Sequence, residues 1–61
     1  MKIPYDEREL IQRAIRSAKP AFVPSPRWVM VKLVFGTGQG VSEMICREYG
    51  FDPDEEVRPQ L

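Results

Sequence analysis

Three glycines fall within five residues, Gly36-Thr37-Gly38-Gln39-Gly40, between two short apolar segments. Such a run allows positive φ and close approach of the flanking elements, so it marks a sharp corner rather than a continuous element. The segment before it, Trp28 to Phe35, is eight residues long and contains Lys32 as its only charge. After it, Val41, Met44, Ile45 and Tyr49 recur at helical spacing, with Glu43 and Arg47 pointing outward and four residues apart. Two short elements laid together by so tight a turn predict a helix-turn-helix unit, a shape used to grip DNA or a protein partner.

The segment 28–35 admits two readings. Ser25-Pro26 suits an N-cap followed by proline at the first helical position, and Gly36 suits the far end of a helix. Val29, Val31 and Val34 prefer strands, and Val29, Val31, Leu33 and Phe35 alternate. A lone strand would have nothing to pair with inside this chain, so helix is favoured. The strand alternative would require an intertwined dimer with a two-stranded ribbon, and the helices after it would be short for a ribbon-helix-helix regulator.

On either side of this centre the signals are helical. Asp6 and Glu9 form a D-x-x-E variant of the capping box, and Leu10, Ile11, Ala14, Ile15 and Ala18 then share one face. Glu9 and Arg13 are four apart, and Pro20 ends a helix of roughly residues 7–18. Residues 19–26, KPAFVPSP, hold three prolines and form a stiff connector across the core. Gly50 suits the position after a helix, with Phe51 folding back on Ile45 or Cys46. Asp52-Pro53, with Glu55 after them, predicts a further short helical turn. The expected fold is an all-α three-helix domain with a helix-turn-helix-like centre and a short C-terminal helical turn, one domain over 1–61 with 1–4 and 58–61 frayed.

Size and composition narrow the function. A chain of 61 residues buries only about 60% of the surface exposed by its unfolded form. One cysteine and no histidine leave no internal disulfide and no zinc cluster, so a homodimer or a partner is one way to complete the core. The lone thiol fits a reducing compartment, the N-terminal MKIPYDEREL lacks an apolar signal core, and no run approaches the ~20 apolar residues of a membrane span. A soluble cytoplasmic protein with no membrane partner is expected. Net charge is zero, yet residues 1–35 hold seven Lys/Arg against three Asp/Glu while residues 36–61 hold two against six. A basic front half and an acidic tail suit anion binding or simple charge pairing within or between chains.

Catalysis is not expected. The G-x-G-x-G run lacks the strand, the sheet and the Lys-Ser/Thr of phosphate loops. Asp52, Asp54, Glu55 and Glu56 lack the spacing of a calcium loop and do not face one another across a cleft. Cys46 has no histidine to activate it. Neither a metal nor a small-molecule cofactor is predicted. What remains is contact chemistry. In the helix-turn-helix reading the second helix presents Gln39, Ser42, Glu43 and Arg47, with Thr37 at its entrance, residue types that read adenine, cytosine and guanine edges. Arg27 and Lys32, with Arg13, Arg16 and Lys19, would supply phosphate contacts. Trp28 beside Arg27 has the chemistry of an interface anchor. Set against DNA, the second helix holds one cation between two anions and leads into an acidic tail. A protein-interaction module is the alternative to a DNA-binding or regulatory one.

Phe35, Gly36 and Gly38, followed by Cys46, Arg47, Glu48, Gly50, Asp52 and Pro53, form an F-G-x-G … C-R-E-x-G-F-D-P-D-E segment. Over roughly residues 27–56 this resembles small, mostly uncharacterised proteins of tailed bacteriophages and prophages. The resemblance implies a phage accessory protein acting in the cytoplasm of a bacterial host, and it carries over no activity and no binding residues.

Overall fold

The computed structural model describes residues 2–59. Three helices, α1 (Glu7–Ser17), α2 (Arg27–Phe35) and α3 (Gln39–Glu48), are joined by a two-stranded antiparallel sheet of β1 (Ser25–Pro26) and β2 (Glu56–Val57). Residues 2–6 and 58–59 carry neither helix nor strand. The expected fraying of the ends falls in part on Met1, Gln60 and Leu61, which lie outside the described residues.

Helix α1 begins as its capping signal predicts. The Asp6 carboxylate accepts from the Glu9 N–H at 2.7 Å, and Arg13 reaches back to Glu9 at 3.3 Å. The 28–35 segment is helix, not strand. Its start differs from the expected one. Pro26 is the cap residue, with no side-chain cap, and Ser25 lies in β1 with its hydroxyl donating to the Val23 carbonyl. The first helical N–H groups are satisfied from the other end of the chain. Arg27 N–H donates to the Glu55 carbonyl at 2.8 Å, and Trp28 N–H to the Pro53 carbonyl at 3.1 Å.

That use of the Pro53 and Glu55 carbonyls corrects the expected C-terminal helical turn. Asp52 instead closes a β-turn, its carbonyl accepting from Glu55 N–H and its carboxylate from Asp54 N–H. The chain leaves that turn as β2, which pairs with β1 in the register Ser25↔Val57 and Pro26↔Glu56. A two-residue strand does exist in this chain, but the partner of 25–26 is intramolecular.

Between α2 and α3 lie only residues 36–38. Gly36 has φ +70° and its N–H donates to the Lys32 carbonyl at 2.8 Å, which terminates α2 in the left-handed region that favours glycine. Gly50 repeats the device after α3 at φ +84°. Its N–H donates to the Arg47 carbonyl and that of Phe51 to the Cys46 carbonyl, the paired bonds of a Schellman ending.

One residue from each helix meets at the centre. Ile15, Val31 and Cys46 are fully buried, and Ile11, Trp28, Ile45, Tyr49 and Phe51 lean on them. Helix α3 is therefore turned relative to the expected apolar stripe. Ser42 and Cys46 point inward, Ile45 and Tyr49 flank them, and Val41 and Met44 face solvent. Small side chains at 42 and 46 let α3 lie close against α2, and the Ser42 hydroxyl has a polar partner waiting in the turn.

Candidate interaction surface

Two of the candidate contact residues are consumed by the fold. Arg27 is only 7% exposed. One guanidinium nitrogen donates to the Ile15 carbonyl near the end of α1, and another to Glu55 Oε1, each at 3.1 Å. The guanidinium also sits over the Phe51 ring, 5.3 Å from its centroid, while Nε has no partner among the described residues. A buried guanidinium held in this way is a tie between α1, α2 and the C-terminal segment, with no face turned to a phosphate. Ser42 is fully buried. Its hydroxyl donates to the Gly38 carbonyl at 2.7 Å and accepts from the Thr37 hydroxyl at 2.7 Å. It stitches the turn to α3 and has no surface to offer a base.

The other six lie at or near the surface. Lys32, Gln39 and Arg47 are exposed, Thr37 and Glu43 are half-buried, and Arg47 approaches Glu43 at 3.9 Å along the helix. Trp28 is half-buried and packs on the core, which makes it as much a structural aromatic as a contact. Arg13 lies over the Tyr5 ring at 4.4 Å in addition to its pair with Glu9. Lys2, Arg16, Lys19 and Lys32 form no ion pair among the described residues, so the cations left for an outside anion sit before α1, on α1, on the connector and on α2 rather than on α3.

Arg8 and Gln12 have a structural task that sequence gave no reason to assign. Arg8 donates to the Glu48 carbonyl at 2.6 Å and lies 4.6 Å from the Tyr49 ring centroid, and Gln12 donates to the Tyr49 carbonyl at 3.3 Å. These carbonyls are among those that a helix end leaves without a partner. Helix α1 thus caps α3, Arg27 of α2 caps α1, and the chain's C-terminal segment caps α2.

The exposed apolar side chains were the larger omission. On α2, Leu33 is 70% exposed, with Val34 and Phe35 also at the surface; on α3, Met44 is 65% exposed and Val41 accompanies it. The signal was present in RWVMVKLVF, which is apolar on every side. Such a helix is normally covered all round, and in a three-helix chain of this size its neighbours cover only part of it. Beside this surface runs a groove of about 300 Å³ lined by Ile11, Phe35, Thr37, Ile45 and Tyr49. On the connector, Phe22 stands 91% exposed next to an exposed Val23.

Cys46 lies under this surface, fully enclosed. Burial pushes its thiol above the ordinary value of 9.0, with Glu43 and Asp52 adding to the effect and Arg27 and Arg47 opposing it. A thiol so placed is protonated and inert at neutral pH. Among the described residues no three Cys or acidic side chains converge as metal ligands, and no helix is long and apolar enough to cross a membrane. Comparison with known protein families, curated proteins and solved structures found no match to this chain.

Proposed function

We propose that this chain is a small non-catalytic protein-interaction module whose contact surface is the outer side of the α2–α3 hairpin. One observation carries the reading. The hairpin is capped and packed by the rest of the fold, yet Leu33, Val34, Phe35, Val41 and Met44 remain exposed on it, as many apolar side chains as the buried core contains. Apolar surface on that scale, in a domain this small, marks a contact site. Lys32, Gln39 and Arg47 supply a polar surround. The resemblance to bacteriophage proteins gives the reading a setting, an accessory protein that binds and modulates a host or phage protein in the bacterial cytoplasm.

DNA binding is the second reading. It is favoured by the order of a nine-residue helix, a three-residue turn and a ten-residue helix, and by the unpaired Arg16, Lys19 and Lys32. It is weakened by the outward side of α3, where Val41, Met44 and Glu48 surround a single Arg47 already next to Glu43. DNA affinity rises with the number of phosphates neutralised, and this helix offers few cations for that.

A photo-crosslinking amino acid placed at Leu33 or Met44 tests the first reading in a bacterial host. A discrete heavier adduct is expected, lost with Met44→Glu while the melting temperature stays within a few degrees. No adduct at either position overturns the protein-interaction reading. Titration with duplex DNA at low salt decides the second, since absence of binding there removes it.

A further inference from the structure

The proline-rich connector between α1 and β1 holds an aromatic side chain that the fold does not use. Pro20 is buried and Pro26 caps α2, so both ends of the connector are anchored, while Ala21, Phe22 and Val23 bend outward between them. Prolines at 20, 24 and 26 restrict the backbone, which lowers the entropy lost when this segment is held by a partner. Phe22 is the most exposed of the large apolar residues, at 91%. It projects as a knob from a connector held at both ends.

The same chain has a hole for it. The groove between α1, the α2 end and α3 is floored by Ile11, Phe35, Ile45 and the Tyr49 ring, holds about 300 Å³, and has side-chain hydroxyls only at Thr37 and Tyr49. An apolar recess with aromatic walls accepts a phenyl ring edge-on or offset against Tyr49 and Phe35. We infer that two copies of this chain associate by exchanging these features, with Phe22 of each seated in the Ile11–Phe35–Ile45–Tyr49 groove of the other. This rests on the interaction reading above for the exposure of the apolar hairpin, and it assigns one occupant to one part of that surface.

Three observations select a second copy over other occupants. The buried apolar core is five residues, Ile15, Met30, Val31, Cys46 and Val57, while ten large apolar residues are exposed, so many apolar side chains remain for a partner copy to cover. Chains of this size without disulfide or metal commonly complete their core by association. Net charge is zero, so two copies approach without repulsion. At the groove Glu48 is already paired with Arg8 at 3.5 Å, so no uncompensated charge there opposes the entry of an apolar ring. A two-fold exchange makes the contact twice and closes the assembly at a dimer.

Sedimentation equilibrium of the purified protein over a wide concentration range is the test. The expected species has twice the 7.1 kDa mass of the chain. Phe22→Ser alters a side chain that touches little in its own fold, so it leaves the circular dichroism spectrum and melting of the monomer intact and weakens the dimer by about 30-fold or more per contact, the loss typical of an interface anchor. In a mixture of isotopically labelled and unlabelled protein, filtered nuclear Overhauser contacts are expected between the Phe22 ring of one copy and the Tyr49 ring of the other. A monomer at every concentration overturns the inference. So does a dimer indifferent to Phe22→Ser, or an assembly that grows past two. Leu33→Ser separates the two proposals. It leaves the dimer in place and removes the heterologous adduct, whereas failure of the interaction reading leaves no adduct to remove.

Discussion

At the scale of the residue, Arg27 shows how a surface-type side chain is drawn into structure. Its place next to Trp28, at the start of an apolar segment, gave it the profile of a contact residue. Inside the fold it holds the Ile15 carbonyl and the Glu55 carboxylate at once. The two contacts differ in what their loss would cost. The bond to the Ile15 carbonyl is buried, and without it that carbonyl keeps only the long bond from the Ala18 N–H at 3.4 Å, whereas Glu55 is about half exposed and returns to water. Arg27→Leu should therefore destabilise by about 2 kcal/mol in urea unfolding, the contribution typical of a hydrogen bond made by a charged group. Glu55→Gln, which keeps an acceptor for the guanidinium, should cost less than about 1 kcal/mol. Equal effects from the two substitutions, or a neutral Arg27→Leu, would remove this account of the residue. Lysine is not an adequate substitute, because a point charge cannot reach both acceptors in the geometry of a planar fork.

At the scale of the element, the three glycines of the corner separate into different roles. Gly36 sits at φ +70° and ends α2, while Gly40 lies inside α3 with open space where a Cβ would project. Gly36→Ala should cost about 1 kcal/mol or somewhat more from backbone strain alone, since no neighbour obstructs the methyl group. Gly40→Ala should instead raise stability by about 0.5 kcal/mol, less than the full interior propensity difference because Gly40 is the second residue of α3. Thermal unfolding of the two variants should move in opposite directions, and a shared direction would mean that the corner extends into α3. The contrast also explains what sequence could and could not convey. Caps written locally were legible, as at Asp6 with Glu9, Gly36 with Lys32 and Gly50 with Phe51, because both partners lie within a few residues. The start of α2 was misplaced by one residue because its donors are satisfied by Pro53 and Glu55, more than twenty residues away. The same long-range bonds turned the acidic DPDEE segment into a turn and strand. Periodicity placed α3 correctly along the chain but not in rotation. Met44 outranks Ser42 in hydropathy, yet Ser42 is enclosed because Thr37 and Gly38 satisfy its hydroxyl. Of the eight candidate contacts, Arg27 was lost to tertiary hydrogen bonds invisible in spacing, and Ser42 to bonds within the corner, to Thr37 and Gly38. The apolar surround at Leu33 and Val34 was visible as an unbroken apolar helix, but which side would stay open depended on how few neighbours a 61-residue chain can provide.

At the scale of the whole molecule, one end of each helix is closed by a different element, and all three helices meet at Ile15, Val31 and Cys46. Opening any one element therefore uncaps another, and a small fold linked in this way should unfold as a unit. Cys46 reports that unit directly. With no exposed surface and neighbours from α1 and α2, its sulfur becomes accessible only when the core separates, so alkylation should proceed at a rate set by global opening. A variant destabilised by about 2 kcal/mol should then label about 30-fold faster. The thiol also gives the fold a pH dependence whose sign follows from its burial. Its folded pKa is raised above the ordinary 9.0, so below that value both states hold the proton and the contribution is present in full. As pH rises through and beyond 9.0, the unfolded chain releases the proton while the folded chain retains it, and stability falls until the folded thiol also ionises. Lysine and tyrosine titrate in the same range, so the informative quantity is the difference between the wild-type protein and Cys46→Ala. That difference should be constant from neutral pH to about pH 8 and shrink steadily above it. Wild-type and Cys46→Ala stabilities that stay parallel into strongly alkaline solution would show that the thiol loses no more solvation on folding than an exposed one, and would place Cys46 outside the meeting point of the three helices.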